Sequence, residues 1–256
     1  MYNNIFDTHA HYDDEKFNGD RAEVLSFVKA NGVSRIIDCG CDLKSSLAAV
    51  DLSEEYDFIY AAVGVHAHEA DEAAEKDFAE IEKLYAHKKV VAVGEIGLDY
   101  HYDFSPRERQ LEVFERQLIL ANELNLPVII HDREAHEDTL RLLKKHRPKG
   151  VVHCFSGSVE SAKEVLSLGM YIGLGGAVTF KNAKKPVEVA KFVPDDFLLL
   201  ETDCPYMAPV PFRGKRCDSS MIPYMAEKAA EIKGSSAQEI LDITCRNGLK
   251  LFEIEK

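Results

Sequence analysis

The sequence predicts an α/β fold and, within that class, a (β/α)8 TIM barrel. Two observations point to it. Short apolar runs alternate with longer amphipathic stretches through the 256 residues, and those runs number eight. Eight βα repeats in a chain of this length suit a closed barrel better than an open doubly wound sheet. A third observation weighs the same way: no GxGxxG follows the first run, which counts against a dinucleotide-binding fold.

The elements follow in order. Ile5-Phe6 opens the first strand, which leads into Asp7-Thr8-His9-Ala10-His11. Arg35–Asp38, Phe58–Val63 and Val90–Val93 are the next three strands. Val128–Ile130, Val151-Val152, Met170–Ile172 and Phe197–Leu200 complete the eight. The best-marked helix begins at Ser105-Pro106-Arg107-Glu108, where Ser105 reads as the cap, Pro106 as the first turn and Glu108 as the capping-box partner. Leu111, Phe114, Leu118 and Ala121 then recur at helical spacing, and Pro127 lies just beyond the end. Ser158–Leu168 reads as a second helix stopped by Gly169, and about Ser236 to Phe252 as a closing helix. Nothing resembles a linker or a low-complexity segment, so residues 1–256 read as a single domain.

Composition narrows the function classes. At 46% hydrophobic residues the chain can bury a sizeable core. Its apolar runs are far shorter than the roughly 20 residues of a membrane span, and the N-terminal residues do not pattern as a signal peptide, so a cytoplasmic location is expected. Six cysteines without a CxxC do not make a disulfide framework, and Cys39-Gly40-Cys41 reads as small thiols in the core or a loop rather than a zinc site. A net charge of −13 opposes a high-affinity nucleic-acid binding module, although an enzyme that grips a few phosphates locally is compatible with it.

The chemistry lies where the runs end. Residues two apart on a strand share a side, so His9 and His11 are placed to share one metal ion. A lone HxH is weak, and the chain holds a second, His66-Ala67-His68. The fourth run ends in Glu95, the fifth in His131, the sixth in His153, and Asp203 follows the eighth. Singly, each has a structural alternative: Glu95 as a helix cap or lysine partner, His131 or His153 as a satisfied polar residue at the rim, Asp203 as the start of a turn before Pro205. Together they set four histidines and two carboxylates at the C-terminal ends of strands, the face on which barrel enzymes carry their sites. Mixed imidazole and carboxylate ligands suit zinc, manganese or iron, with magnesium possible where water completes the shell.

With these residues in view, the chain resembles the TatD family of metal-dependent hydrolases, within the amidohydrolase-like barrels. The matching stretches are Phe6–His11, Gly64–His68, Gly94–Tyr100, His131-Asp132-Arg133, His153–Gly157, Glu201–Tyr206 and Ala208–Arg216, which occur in family order over nearly the whole chain. Ala67 departs from the family's usual proline without removing a ligand.

The resemblance implies two divalent ions. His9, His11, Glu95 and Asp203 would hold one; Glu95 would bridge to a second, completed by His131 and His153. Asp203 would also orient the nucleophile and accept a proton, so Asp203 and Glu95 are the expected catalytic residues. His66 would face the substrate, and His68 would be structural. Glu201, two residues before Asp203, would bind substrate or support the metal shell; a buried carboxylate paired with a histidine or arginine is the equal alternative. Arg133, Arg213 and Lys215 are the expected substrate contacts, with Arg213, Lys215 and Arg216 as a phosphate clamp in the loop after the eighth strand and a solvated loop as the alternative. Tyr100, Tyr102, Phe104 and Phe155 are candidates for base stacking, against ordinary packing.

The implied activity is metal-dependent phosphodiester hydrolysis, as a 3′–5′ exonuclease-like deoxyribonuclease acting on single-stranded DNA or ends. Hydrolysis of a carboxylic ester, an amide or an aminoacyl-tRNA ester at the same site is the alternative, and a non-catalytic metal-binding scaffold the remote one.

Overall fold

In the computed structural model, which describes residues 2–255, eight strands form one parallel sheet in sequence order: β1 (Ile5–Ala10), β2 (Val33–Cys39), β3 (Ile59–Val63), β4 (Val90–Asp99), β5 (Val128–Arg133), β6 (Gly150–Val152), β7 (Tyr171–Leu174) and β8 (Leu198–Leu200). Helices fill the connections: α1 (Arg21–Ala30), α2 (Leu43–Glu55), α3 (Glu75–Leu84), α4 (Arg107–Leu124), α5 (His136–His146), α6 (Val159–Ser167) and α7 (Lys184–Phe192). Two more, α8 (Ile222–Lys233) and α9 (Ala237–Leu251), follow the last strand. This is the (β/α)8 barrel the alternation predicts. It is nearly closed: β1 and β8 meet through a parallel bridge between Ala10 and Cys204 rather than a full ladder.

Side chains and loops finish that seam. Thr8 Oγ1 donates to the Leu200 carbonyl at 3.1 Å, and the His11 amide to the Cys204 carbonyl at 2.8 Å. The Asp7 carboxylate accepts from the Thr202 amide at 3.0 Å, from the Thr202 hydroxyl at 2.6 Å and from the Ser219 hydroxyl at 2.7 Å. From outside, Asn247 of α9 donates to the Leu198 carbonyl at 2.9 Å, and Gly248 lets that helix pack directly on Phe6. The buried residues of the strands and the inner helix faces make the core, so the site is carried by the strand ends on one face.

Three local expectations change. β4 does not stop at Val93: it runs through Glu95 to Asp99, and Ile96–Asp99 pair with Ile130–Arg133 of β5 after a register shift. Glycines permit this, because a Cβ on Gly97 would lie 2.0 Å from the His131 carbonyl oxygen and one on Gly94 would lie 2.8 Å from Ile129. Ser105 does not cap α4; its hydroxyl receives the Asp71 amide at 3.0 Å and donates to the His68 carbonyl at 2.8 Å, tying two loops together. β7 does not stop at Ile172 but continues through Gly173 to Leu174. Ser158 caps α6 through the Ser161 amide, and Ser236 with Glu239 makes a capping box at the start of α9.

Candidate metal centre

Six side chains meet at the C-terminal mouth of the barrel. His9 lies within β1 and His11 just after it; their Nε2 atoms are 3.0 Å apart. Glu95 is in the middle of β4, His131 in β5, His153 one residue past β6 and Asp203 three residues past β8. The carboxylate of Glu95 sits at the centre. Its Oε2 is 3.4 Å from His9 Nε2 and 3.6 Å from His11 Nε2. Its Oε1 is 3.0 Å from His131 Nδ1 and 2.8 Å from His153 Nε2. Asp203 Oδ1 completes one side, 3.6 Å from His9 Nε2 and 3.5 Å from His11 Nε2. Asp203 has φ 60° and Cys154, next to His153, φ 40°: two non-glycine residues in the left-handed region flank the centre.

The outer partners of the histidines set which nitrogens face inward. His11 Nδ1 is 2.8 Å from the Cys39 carbonyl and therefore carries a proton, leaving the Nε2 lone pair inward. His131 Nε2 is 3.0 Å from Asp99 Oδ2, which turns the Nδ1 lone pair toward Glu95. His11 and His131 thus turn imidazole lone pairs toward the carboxylate oxygens of Glu95 and Asp203, an arrangement that suits a cation. His9, Glu95 and His153 form one group able to hold a cation, and His9, His11 and Asp203 another.

Burial pushes Glu95 up, but the histidines His153, His66 and His9 outweigh it and hold the carboxyl well below its usual range. Burial opposes the charged form of His153, yet Glu95 and Glu201 raise it well above the usual imidazole value. Burial lowers His9, and His153 adds to the effect.

His66 differs. Its Nδ1 accepts the His68 amide at 3.1 Å, so the neutral ring carries its proton on Nε2, 3.5 Å from Glu95 Oε1. That N–H suits donation to a substrate oxygen better than metal ligation. His68 Nε2 reaches Asp99 Oδ2 at 2.9 Å, so one carboxylate holds both His68 and His131. Burial opposes ionisation of Asp99, but these hydrogen bonds keep it well below the carboxylate range.

The remaining expected residues are distributed unevenly. Glu201 has no exposed surface; it lies behind His153, accepting the Cys154 amide at 2.5 Å, with Oε1 3.3 Å from His153 Nδ1. That geometry matches the buried-pair alternative rather than a substrate contact. Gly173 makes room for it, since a Cβ there would lie 2.6 Å from Glu201 Oε2. Arg133 lines a cleft of about 480 Å³ beside His131, His153 and Asp203, and its guanidinium stacks on Tyr102 at 4.6 Å. Arg213 and Lys215 do not line that cleft: Arg213 stacks on Phe180 at 3.8 Å, and Lys215 lies over Phe212 at 5.7 Å. Arg216 is bound to Asp20 at 2.6 Å. Tyr102 and Phe104 are exposed and stacked at 5.1 Å, whereas Phe155 is buried.

Two residues of the centre escape a reading of run ends. Asp99 lies four residues beyond Glu95 on a stretch that looks like a turn. Cys41 places its sulfur 3.8 Å from Glu95 Oε2, and burial pushes its thiol up to about 12, so it remains protonated. The CxC spacing was its one signal.

A family model described as TatD related DNase matches residues 6–253. The chain belongs to the TatD-related DNase family. Among its relatives is an uncharacterised metal-dependent hydrolase, YabD, of Bacillus subtilis strain 168, 50% identical over 98% of this chain and 99% of the relative. A second is the 3′-5′ ssDNA/RNA exonuclease TatD of Edwardsiella piscicida, 36% identical over 93% of this chain and 95% of that one. The crystal structure of YjjV, a TatD homologue from Escherichia coli K12, superposes with a TM-score of 0.93 at 34% identity over the full length of both chains. This TatD-family protein is therefore an enzyme, a metal-dependent hydrolase acting on phosphoester bonds, and its divalent-metal requirement fits the donor set at the barrel mouth. No helix among the described residues is long and apolar enough to cross a membrane.

Proposed function

We propose that this protein is a TatD-type deoxyribonuclease that removes nucleotides from the 3′ ends of single-stranded DNA and works with two divalent ions. The observation that carries the two-ion reading is the division of Glu95 between its two oxygens. Oε2 faces His9 and His11 at 3.4 and 3.6 Å, and Oε1 faces His131 and His153 at 3.0 and 2.8 Å. A carboxylate so divided is a bridge between two ligand pairs. His9, His11 and Asp203 would hold one ion with it, and His131 and His153 the other. The ions, when bound, supply the Lewis acidity that makes water a nucleophile near neutral pH and offset charge on phosphoryl oxygens.

The chain's own groups do the rest. Asp203 accepts the proton of the attacking water; burial is outweighed by His11 and His9, which hold its carboxyl below the usual range and keep it ionised. His66 offers its Nε2 proton to a phosphoryl oxygen. Asp99 and Glu201 fix His131 and His153 from behind. DNA as substrate, single-strandedness and 3′–5′ polarity rest on family membership and on relatives such as the Edwardsiella exonuclease.

The test strips the protein with chelator, restores magnesium, manganese, cobalt or zinc singly, and follows nucleotide release from end-labelled single-stranded DNA beside a Glu95→Ala variant. Metal-restored cleavage that the variant lacks is the expected result. Equal cleavage by both would refute the bridging role. Hydrolysis of carboxylic esters but not of DNA would move the substrate to the ester class.

A further inference from the structure

Three cations converge on the cleft beside the metal centre without any acidic partner. Arg133 comes from the end of β5, and Lys184 and Lys185 from the first turn of α7. None of the three makes an ion pair or a side-chain hydrogen bond among the described residues, in a protein with 44 acidic residues and a net charge of −13. Other basic side chains do find acids, Lys149 in Glu253, Lys233 in Asp195 and Arg216 in Asp20, so what marks these three is that they are unpaired and share one cleft with the metal centre. Two acids line this cleft: Asp203 belongs to the metal centre, and Asp132 turns Oδ2 to His136 Nδ1 at 2.7 Å. The inner wall is formed by His131, His153 and Asp203, the outer wall by Lys184 and Lys185 with Asn182. A volume of about 480 Å³ is within the range of a small-molecule site.

We infer that Lys184 and Lys185 are specificity-determining residues that hold a non-scissile phosphate of a single-stranded polynucleotide while the scissile phosphate lies at the metal centre. The inference rests on the nuclease reading and deepens it by assigning the phosphate contact to the start of α7 rather than to the loop of Arg213 and Lys215. Unpaired cations cost little when exposed and gain most from a polyanion that brings its charge to them. Two ammonium groups on successive residues, flexible and without a fixed geometry, suit a point-charge contact to phosphate rather than base reading. Arg133 borders both this cleft and the Tyr102 ring, so it links the phosphate site to an exposed aromatic surface where a base can stack.

The test compares wild type, the double variant Lys184→Gln/Lys185→Gln, and a charge-matched control, Lys76→Gln/Lys250→Gln, after equal melting temperatures are verified. Two substrates separate the roles: bis(p-nitrophenyl) phosphate, which has no second phosphate, and a single-stranded oligonucleotide. KM for the oligonucleotide is expected to rise about fivefold or more in the cleft variant, while kcat and KM for the small diester stay within about twofold of wild type (each lost phosphate contact removes about 0.7 from the salt slope for single strands). Anisotropy of the labelled oligonucleotide on chelator-treated protein, where no cleavage occurs, reads that slope directly, and a drop of about 0.7 is expected for the one phosphate the pair holds. Unchanged oligonucleotide KM and slope would overturn the inference, and so would equal losses on both substrates. If wild type hydrolyses the small diester but neither binds nor cleaves the oligonucleotide, the nuclease reading itself fails and takes the clamp with it.

Discussion

At the scale of single residues, the division of labour at the barrel mouth is set by what stands behind each donor. Asp203 shares His9 and His11 with Glu95 but does not bridge, so an amide in its place can still offer an oxygen to an ion while losing the capacity to take a proton. Asp203→Asn is expected to keep much of the bound metal and to lose about 100-fold or more in turnover, the range of a general base. Metal content by atomic absorption and turnover on the same preparation check this, and near-normal turnover would remove Asp203 from the role of base. Asp99 acts one step back. It orients His131 through a 3.0 Å contact and shares its carboxylate with His68 at 2.9 Å. Asp99→Asn is expected to weaken metal binding at the His131/His153 side by about 10- to 100-fold, as for other residues that orient a ligand histidine. Calorimetric titration of the stripped protein would show one of two affinities falling and the other holding; two unchanged affinities would contradict this role.

At the scale of elements, the legible parts are those whose signal is local. The run ends that meet at the barrel mouth are readable because alternation in a strand sets His9 and His11 on one side, and because a polar residue that ends an apolar run stands out. The second half of β4 is not, since Gly94 and Gly97 look like turn residues until the backbone of β5 lies against them. The first turn of α7 lacks any spacing that ties Lys184 and Lys185 to His131, because their neighbourhood is made by the barrel. The β1–β8 seam is hidden for the same reason: the hydrogen bonds of Asp7 to Thr202 join residues 195 apart. Asp7 is fully buried, and burial raises its carboxyl to about 7 against four hydrogen bonds that favour the ionised form. Asp7→Ala would leave the Thr202 amide and hydroxyl and the Ser219 hydroxyl buried without their acceptor. A loss of about 1–3 kcal/mol in unfolding free energy is expected for each group left unsatisfied. Chemical denaturation measures it, and stability within about 0.5 kcal/mol of wild type would mean that the seam is closed by other contacts.

At the scale of the whole molecule, the centre joins what the chain separates. The proposed ligands lie on or just beyond β1, on β4 and β5, and just beyond β6 and β8, so an ion at the barrel mouth would tie the first strand to the last across a barrel whose own ladder does not close there. An ion that binds the folded protein alone stabilises it by mass action, about 2.7 kcal/mol at a free concentration 100 times its Kd. For a domain of this length that corresponds to an increase in Tm of roughly 5–10 °C. The increase should grow with the logarithm of metal concentration, since the linkage is one of binding and not of ionic strength. It should be largely absent in Glu95→Ala, which removes the group common to both ligand pairs, and it should survive in Lys184→Gln/Lys185→Gln, which leaves every donor in place. Thermal melts of the three proteins across a manganese series separate these cases. A Tm that rises equally in all three would place the stabilising ion elsewhere on this acidic surface, and the barrel mouth would then owe its closure to the β1–β8 hydrogen bonds and to α9 alone.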